Sequence, residues 1–155
     1  MSIQVTPLNP EDRAAWETLW QDSVGGVMPQ NVVDHSYNQL MDGTIHAFVA
    51  KDGNALIGLL HYVVHPVAGC LHPVCYMQDL FVSPQSRRKG IARMLIDHLE
   101  KEATKQNFDR IYWLLENGNA GAKEFYKDLA ISLDFGLYMI PIKMKDRLNL
   151  PDSHS

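Results

Sequence analysis

A short basic segment near the middle of the sequence has the composition of an anion-binding site. Three consecutive basic residues, 87–89, follow an apolar strand predicted over residues 74–82 and precede Gly90, where the clearest helix begins and runs to about residue 106. The first amides of a helix have no intrahelical acceptor, and the helix dipole is positive there. Each charge-assisted hydrogen bond in such a place contributes about 1.5–3 kcal/mol. We therefore predict a diphosphate site, against the alternative of a solvated loop.

Two common phosphate-binding patterns are absent from the sequence. Neither the P-loop pattern Gly-x-x-x-x-Gly-Lys-Ser/Thr nor the dinucleotide pattern Gly-x-Gly-x-x-Gly occurs. The pattern that does occur, Arg87-x-x-Gly90-x-Ala92, resembles the Arg/Gln-x-x-Gly-x-Gly/Ala signature of the GNAT acyltransferases.

A second segment supports the same resemblance. The pattern Asn119-x-x-Ala122-x-x-Phe125-Tyr126 lies in the helix after the next predicted strand, where that family has its Asn and Tyr. The order of predicted elements over residues 3–144 also agrees with the family. Within the superfamily, three segments resemble the histone-and-polyamine acetyltransferase subgroup: residues 75–82, 112–113 and 125–130.

The predicted elements have the order β-α-α-β-β-β-α-β-α-β, a mixed α/β sheet with helices on both faces. The strands are expected at residues 2–6, 45–50, 55–64, 74–82, 110–116 and 135–144, and the helices after Asn9-Pro10 and at 30–41, 90–106 and 119–130. The resemblance implies the GNAT acyl-CoA N-acyltransferase fold, with a splay between the fourth and fifth strands. We expect one domain over residues 1–146 and a disordered tail over residues 147–155.

The resemblance also implies a cosubstrate, acetyl-CoA, in the gap between the fourth and fifth strands. In the family, pantetheine pairs with the exposed backbone of the fourth strand, and the pyrophosphate lies on the amides that follow it. An Asn hydrogen-bonds the cofactor arm, and a Tyr directs its hydroxyl at the thioester sulfur. The matching residues are Leu80, Phe81, Val82, Arg87, Arg88, Lys89, Gly90, Ile91, Ala92, Asn119 and Tyr126.

The implied reaction is attack of an amine on the thioester carbonyl, which produces an oxyanion and a thiolate. A phenol with a pKa near 10 can protonate that thiolate, so Tyr126 is the expected general acid. The Leu80 amide is the expected oxyanion donor, a role typically worth about 3–4 kcal/mol. Gln78, Asp79 and Glu116 are expected to contact the substrate. A neighbouring polyamine subgroup has a Glu base at the position of Gln78, and Gln cannot take a proton, so that role must move or disappear. Asp79 and Glu116 are the carboxylates in the right region, acting directly or through water, and Asp79 is expected to be the base or a substrate anchor.

The same residues have structural alternatives. Tyr126, with neighbours at 122, 125 and 129, could form only the apolar face of a packed helix. Asp79 could instead be bonded to backbone or to a neighbouring hydroxyl, because a buried acid needs a partner. A group of His and Cys residues could suggest zinc, but its spacing matches no common zinc site, and we expect no metal. Its members are His61, His65, Cys70, His72 and Cys75.

The composition bounds the possible functions. With 155 residues, 46% of them hydrophobic, and a net charge of −4, the chain fits one globular domain rather than a disordered protein. The mildly acidic charge argues against general nucleic-acid binding. The sequence has no run of about 18 apolar residues and no N-terminal signal segment, so we expect no membrane partner and a cytoplasmic location. Cys70 and Cys75 are then expected to be reduced.

Three function classes fit these observations. The first is an N-acetyltransferase that transfers an acetyl group to a primary amine (a polyamine, another small amine or a lysine side chain) by direct attack in a ternary complex. The second is a non-catalytic domain of the same fold that binds or senses acyl-CoA, and the third is a nucleotide-binding module without acyl chemistry. Tyr126 favours the enzyme, because a domain that only binds needs no proton donor at the sulfur. The subgroup resemblance also implies a homodimer, to which the last strand contributes.

Overall fold

The computed structural model describes residues 2–143. Its coordinates form two compact units, the first ending at Leu114 and the second beginning at Leu115. The predicted tail over residues 147–155 lies outside the described residues, as does Met144, the last residue of the predicted final strand.

The first unit contains a five-stranded sheet whose strands are in sequence order. β1 to β4 are antiparallel neighbours, and β5 is parallel to β4. The strands are β1 (Ile3–Pro7), β2 (His46–Asp52), β3 (Ala55–His65), β4 (Val74–Val82) and β5 (Ile111–Tyr112). The helices of this unit are α1 (Arg13–Val24), α2 (Gln30–Met41) and α3 (Ile91–Lys105), with 3-10 turns at Pro10–Asp12 and Pro84–Ser86.

Helices cover both faces of the sheet, as predicted. One buried cluster joins α1 and α2 to the sheet through Trp16, Leu19, Val33, Val49 and Leu59. Gly58 precedes Leu59 in β3 and therefore faces the opposite side. A Cβ atom at Gly58 would lie 3.1 Å from the side chains of Ile91 and Leu95, so α3 packs closely on that second face.

The start of α1 is fixed to the sheet, which determines where Trp16 lies. The Asn9 amide donates to Asp12 Oδ2 at 3.0 Å, and the predicted Asn9-Pro10 helix start is confirmed, since Pro10 opens the turn that leads into α1. Asp12 is buried and forms an ion pair with Lys51 Nζ of β2 at 2.9 Å. Because a buried charge must be paired, this contact sets the position of the helix on the sheet.

β4 and β5 separate after two residue pairs. Cys75 pairs with Ile111 and Tyr76 with Tyr112, and no further pair follows in residues 2–143. The fifth strand is thus shorter than the predicted range of 110–116, and the expected splay between the fourth and fifth strands begins after Tyr76.

A β-bulge in β4 lies immediately beyond this point. Met77 and Asp79 pair with adjacent residues of β3, and Gln78 is the additional residue between them. A bulge bends its strand and increases the local twist. β4 nevertheless continues to pair with β3 as far as Val82, so its other edge is the one that loses its partner.

The second unit contains one helix, α4 (Ala120–Tyr126), among its described residues. The helix was predicted over residues 119–130, and residues 127–129 form a turn instead. No residue of α4 is fully buried, so packing adds little to the stability of a helix this short.

The predicted final strand is wrong for residues 135–143, which form no strand. The apolar side chains of this segment suggested a strand, but Phe135, Leu137 and Ile140 are 85%, 73% and 82% exposed. An isolated extended segment has no backbone partner for its hydrogen bonds, so apolar alternation alone does not create a strand.

Candidate active site

The loop between β4 and α3 presents a run of unpaired backbone amides. Arg88 and Gly90 have positive φ angles of 65° and 76°. Within the described chain, no acceptor receives the N–H groups of residues 87–93, and the first bond of α3 runs from the Met94 amide to Gly90 O at 3.0 Å. Gly90 adopts its conformation without a Cβ penalty, whereas Arg88 has a strained one that costs about 1–3 kcal/mol. Such consecutive amides form an anion-binding concavity.

The basic side chains of this loop are exposed, and one of them is hydrogen-bonded to the end of β4. Arg87 Nε donates to Val82 O at 3.2 Å, and the Arg87 guanidinium lies 5.6 Å from the centre of the Phe81 ring. Arg88 and Lys89 form no ion pair with any described residue. Their positive charges therefore remain uncompensated beside the free amides, which favours an anionic ligand.

The open edge of β4 carries the predicted oxyanion donor. The Ser83 amide donates to a β3 carbonyl at 2.8 Å, so its N–H group faces β3. Because backbone N–H groups alternate sides along a strand, those of Val82 and Leu80 face away from β3, and that of Phe81 faces β3. Beyond Tyr76, no described strand pairs with β4 on the outer side. The Leu80 amide is therefore available on this edge.

Asp79 belongs to a hydrogen-bond chain that reaches into the core. Asp79 Oδ2 lies 2.9 Å from His61 Nδ1, and His61 Nε2 lies 2.9 Å from Trp16 Nε1. Trp16 and His61 are 0% and 4% exposed, whereas the Asp79 side chain is 40% exposed. The partner of Asp79 is therefore an imidazole, and not the backbone group or hydroxyl that a structural acid was expected to have. The Asp79 end of this hydrogen-bond chain is therefore accessible to a substrate.

Trp16 and His61 are site residues that the sequence analysis missed. His61 was considered only as a possible metal ligand, and Trp16 was expected only as a core or interface residue. The signal that could have revealed His61 is the pairing of β3 with β4, which sets His61 opposite Asp79. The bulge at Gln78 and the long loop between these strands make that register hard to predict from sequence.

The two other predicted substrate-binding residues lie on exposed parts of the chain. Gln78 is exposed at the bulge of β4. Glu116 is exposed in the second unit, where its carbonyl accepts the Asn119 amide at 3.1 Å. Gln78 and Asp79 are adjacent in β4, whereas Glu116 belongs to the other unit.

Asn119 and Tyr126 lie at the two ends of α4. Asn119 Oδ1 accepts the Ala122 amide at 3.0 Å and so caps the helix. Its side-chain NH₂ group retains two donors that this cap does not use. Tyr126 is partly buried, and burial raises the pKa of its phenol above the usual value of 10.0. The phenol therefore stays protonated at neutral pH, as a general acid must.

The His and Cys side chains within residues 2–143 are not grouped as metal ligands. No group of three or more His, Cys, Asp or Glu side chains in this range could hold a metal ion. Burial raises the pKa of Cys75 to about 12, which keeps it a thiol, and His65 Nε2 lies 2.7 Å from the Tyr112 hydroxyl. In the same range, no helix combines the length and the apolarity needed to cross a membrane.

Comparison with known proteins shows the family of the chain. Residues 9–130 match the acetyltransferase (GNAT) family. The chain is 32% identical over 144 residues to the D-amino-acid N-acetyltransferase HPA3 of Saccharomyces cerevisiae, which covers 88% of this chain and 89% of that protein. It is 28% identical over 98 residues to the thialysine N-epsilon-acetyltransferase of Caenorhabditis elegans, with 62% and 59% covered.

The fold is also similar to solved structures. The structure of AAC(6')-Iy in complex with the bisubstrate analog CoA-S-monomethyl-acetylneamine matches with a TM-score of 0.79 at 17% identity, covering 92% of this chain and 99% of that one. A ribosomal-protein-alanine N-acetyltransferase from Brucella melitensis biovar Abortus 2308 matches with a TM-score of 0.77 at 19% identity, covering 91% and 100%. With the family match over most of its length, the chain belongs to the GNAT family of acetyltransferases and is an N-acetyltransferase that uses acetyl-CoA.

Proposed function

We propose that this enzyme transfers the acetyl group of acetyl-CoA to a primary amine of a small molecule or a lysine side chain, by direct attack in a ternary complex. One continuous observation carries this proposal. A carboxylate at Asp79, the open-edge amides of Leu80 and Val82, and the free amides of residues 87–93 follow one another along β4, its loop and α3. Thioester, pantetheine and pyrophosphate follow one another in the same order along acetyl-CoA.

The proposed cofactor contacts are those that the family resemblance implies. The pantetheine pairs with the edge of β4 at Leu80 and Val82, and the pyrophosphate accepts hydrogen bonds from the amides of residues 88–92. The NH₂ group of Asn119 donates to the cofactor arm. This arrangement requires residues 1–146 to act as one domain, which we include in the proposal.

The proposed chemistry assigns each proton. The amine arrives as an ammonium and gives one proton to Asp79, directly or through water, before its nitrogen attacks the thioester carbonyl. The Leu80 amide donates to the oxyanion that forms. As the C–S bond breaks, Tyr126 gives its proton to the sulfur. The second amine proton is lost as the amide forms and reprotonates the Tyr126 phenolate through water, and the proton on Asp79 returns to solvent. Gln78 and Glu116 contact the acceptor without taking a proton in the attack step.

A small amine is the acceptor that the observations favour. The names of two relatives specify D-amino acids and thialysine as substrates, and both molecules carry a primary amine. The exposed carboxylate of Asp79 suits an ammonium group. The resemblance to the histone-and-polyamine subgroup adds polyamines and lysine side chains to this class. It also supports a homodimer, and we propose a cytoplasmic location.

A screen for acceptor-dependent release of CoA tests the proposal. We expect thiol release from acetyl-CoA with at least one member of a panel of polyamines, D- and L-amino acids, thialysine, aminoglycosides and basic peptides. Stabilisation by CoA in a melting experiment without thiol release for any amine would instead support an acyl-CoA sensor. Stabilisation by ATP but not by CoA would contradict the proposal altogether.

Replacing Asn119 separates its two roles. Asn119→Asp keeps the oxygen that caps α4 but removes the NH₂ donor, so we expect the KM for acetyl-CoA to rise about tenfold with no loss of melting temperature. Asn119→Ala removes the cap as well and should also reduce the stability by about 1 kcal/mol. Steady-state kinetics and thermal melting measure both effects. An unchanged KM in both variants would exclude Asn119 from the cofactor site.

A further inference from the structure

The buried chain of Trp16, His61 and Asp79 has a defined direction. The indole nitrogen of Trp16 can only donate, so His61 Nε2 must accept its hydrogen. A neutral imidazole that accepts at one nitrogen carries its hydrogen on the other, so His61 Nδ1 donates to Asp79 Oδ2. A doubly protonated ring would oppose two N–H groups across 2.9 Å. The chain therefore runs from Trp16 through neutral His61 to the carboxylate.

This direction determines how Asp79 meets a substrate. Oδ2 receives the imidazole hydrogen bond, and Oδ1 has no partner within the described residues. The His61 ring is packed against two indoles, with centroid distances of 6.1 Å to Trp16 and to Trp20, which are themselves stacked at 5.1 Å. One carboxylate oxygen is thus held by a rigid, buried donor, and Oδ1 is the oxygen left for a ligand.

We propose that Trp16 and His61 are positioning residues, which fix the Asp79 carboxylate with Oδ1 directed at the ammonium of the acceptor. This inference rests on the proposed function, in which Asp79 takes the amine proton. His61 exchanges no proton with the substrate, because both of its nitrogens are engaged inside the chain. The two buried residues act through the orientation of Asp79 alone.

The direction of the chain can be measured without any substrate. NMR of protein labelled with ¹⁵N-histidine should assign His61 near neutral pH as a neutral ring with hydrogen on Nδ1. Trp16→Phe, which removes the indole donor and keeps an aromatic ring, should abolish that single-tautomer signature. An imidazolium, or a ring with its hydrogen on Nε2, would overturn the inference.

Kinetics of His61 variants test the consequence for the acceptor amine. His61→Leu should lower kcat/KM for the amine about ten- to hundredfold, the loss expected for a charge-assisted hydrogen bond, with the KM for acetyl-CoA unchanged. His61→Gln can accept from Trp16 and donate to Asp79, so it should recover most of that loss. His98→Leu is the matched control, because His98 is a partly buried histidine of α3 that packs on Phe48 and has no contact with Trp16, His61 or Asp79; it should retain wild-type kinetics.

A double-mutant cycle separates positioning from a general structural role. In an Asp79→Asn background, His61→Leu should have little further effect, because the residue it positions is already inactive. An equal loss in both backgrounds would overturn the inference. Near-full activity of Asp79→Asn by itself would instead overturn the role of Asp79 in the proposed function, and the tautomer measurement distinguishes the two failures.

Discussion

Tyr126→Phe is expected to lower kcat about 10²- to 10⁴-fold, the usual contribution of a general acid, with the Kd of CoA nearly unchanged. The variant keeps the ring and loses only the hydroxyl that protonates the departing thiolate. Single-turnover kinetics with acetyl-CoA and the best amine of the screen, together with calorimetric titration of CoA, measure the two quantities. Binding that weakens as much as turnover would assign Tyr126 to the cofactor site but not to proton transfer.

Tyr138→Phe is a matched control, because it removes the same hydroxyl from a residue that is 96% exposed in the same unit. It should leave both kcat and the Kd of CoA unchanged. The pH profile provides a second measurement. Burial raises the pKa of Tyr126, so the phenol stays protonated to higher pH than an exposed tyrosine, and the activity loss caused by its ionisation shifts upward. In Tyr126→Phe that alkaline loss should be absent.

Asp79→Asn is expected to lower kcat/KM for the amine about 10²-fold, within the range for a general base. Asparagine has nearly the same shape and can still accept the His61 hydrogen bond, but it cannot take a proton from an ammonium. The variant must therefore use the small fraction of amine that is already neutral in solution. Its rate should rise about tenfold per pH unit until the pH reaches the amine pKa, about 10.4 for a lysine-type amine.

Asp97→Asn is the control for this substitution, because Asp97 is a partly exposed carboxylate on α3 that pairs with Arg93 at 3.0 Å. Surface pairs of this kind contribute little, so kinetics and their pH dependence should match the wild type. If Asp79→Asn behaves in the same way as this control, the amine proton leaves by another route and Asp79 is not the base.

Several elements of the first unit, including the two that flank the anion-binding loop, could be predicted from the sequence because their signals are local. α2 and β4 have the predicted bounds, and α3 differs from its prediction by one residue at each end. α3 is amphipathic over four turns and follows a Gly with positive φ, whereas β4 is apolar on both faces. Such patterns depend little on the rest of the fold.

The elements that were predicted wrongly are those whose length depends on a partner strand. Within residues 2–143, β5 shares two residue pairs with β4, and residues 135–143 have no strand partner, so neither length is specified by the segment itself. The Trp16–His61 contact could not be predicted from the sequence for a related reason. Its two residues are 45 positions apart, and they meet only through the packing of α1 on β3.

The additional residue in β4 is expected to lower the stability of the sheet and to be needed for activity. Gln78 lengthens β4 relative to β3 where the outer pairing with β5 ends, so the sheet gives up backbone hydrogen bonds there. A chain shortened by this residue would form a more regular sheet, and its fifth strand could extend alongside the fourth. The gap between β4 and β5 in which we propose that the thioester lies would then close. Deletion of Gln78 is therefore expected to raise the melting temperature of the enzyme and, at the same time, to abolish its binding of acetyl-CoA.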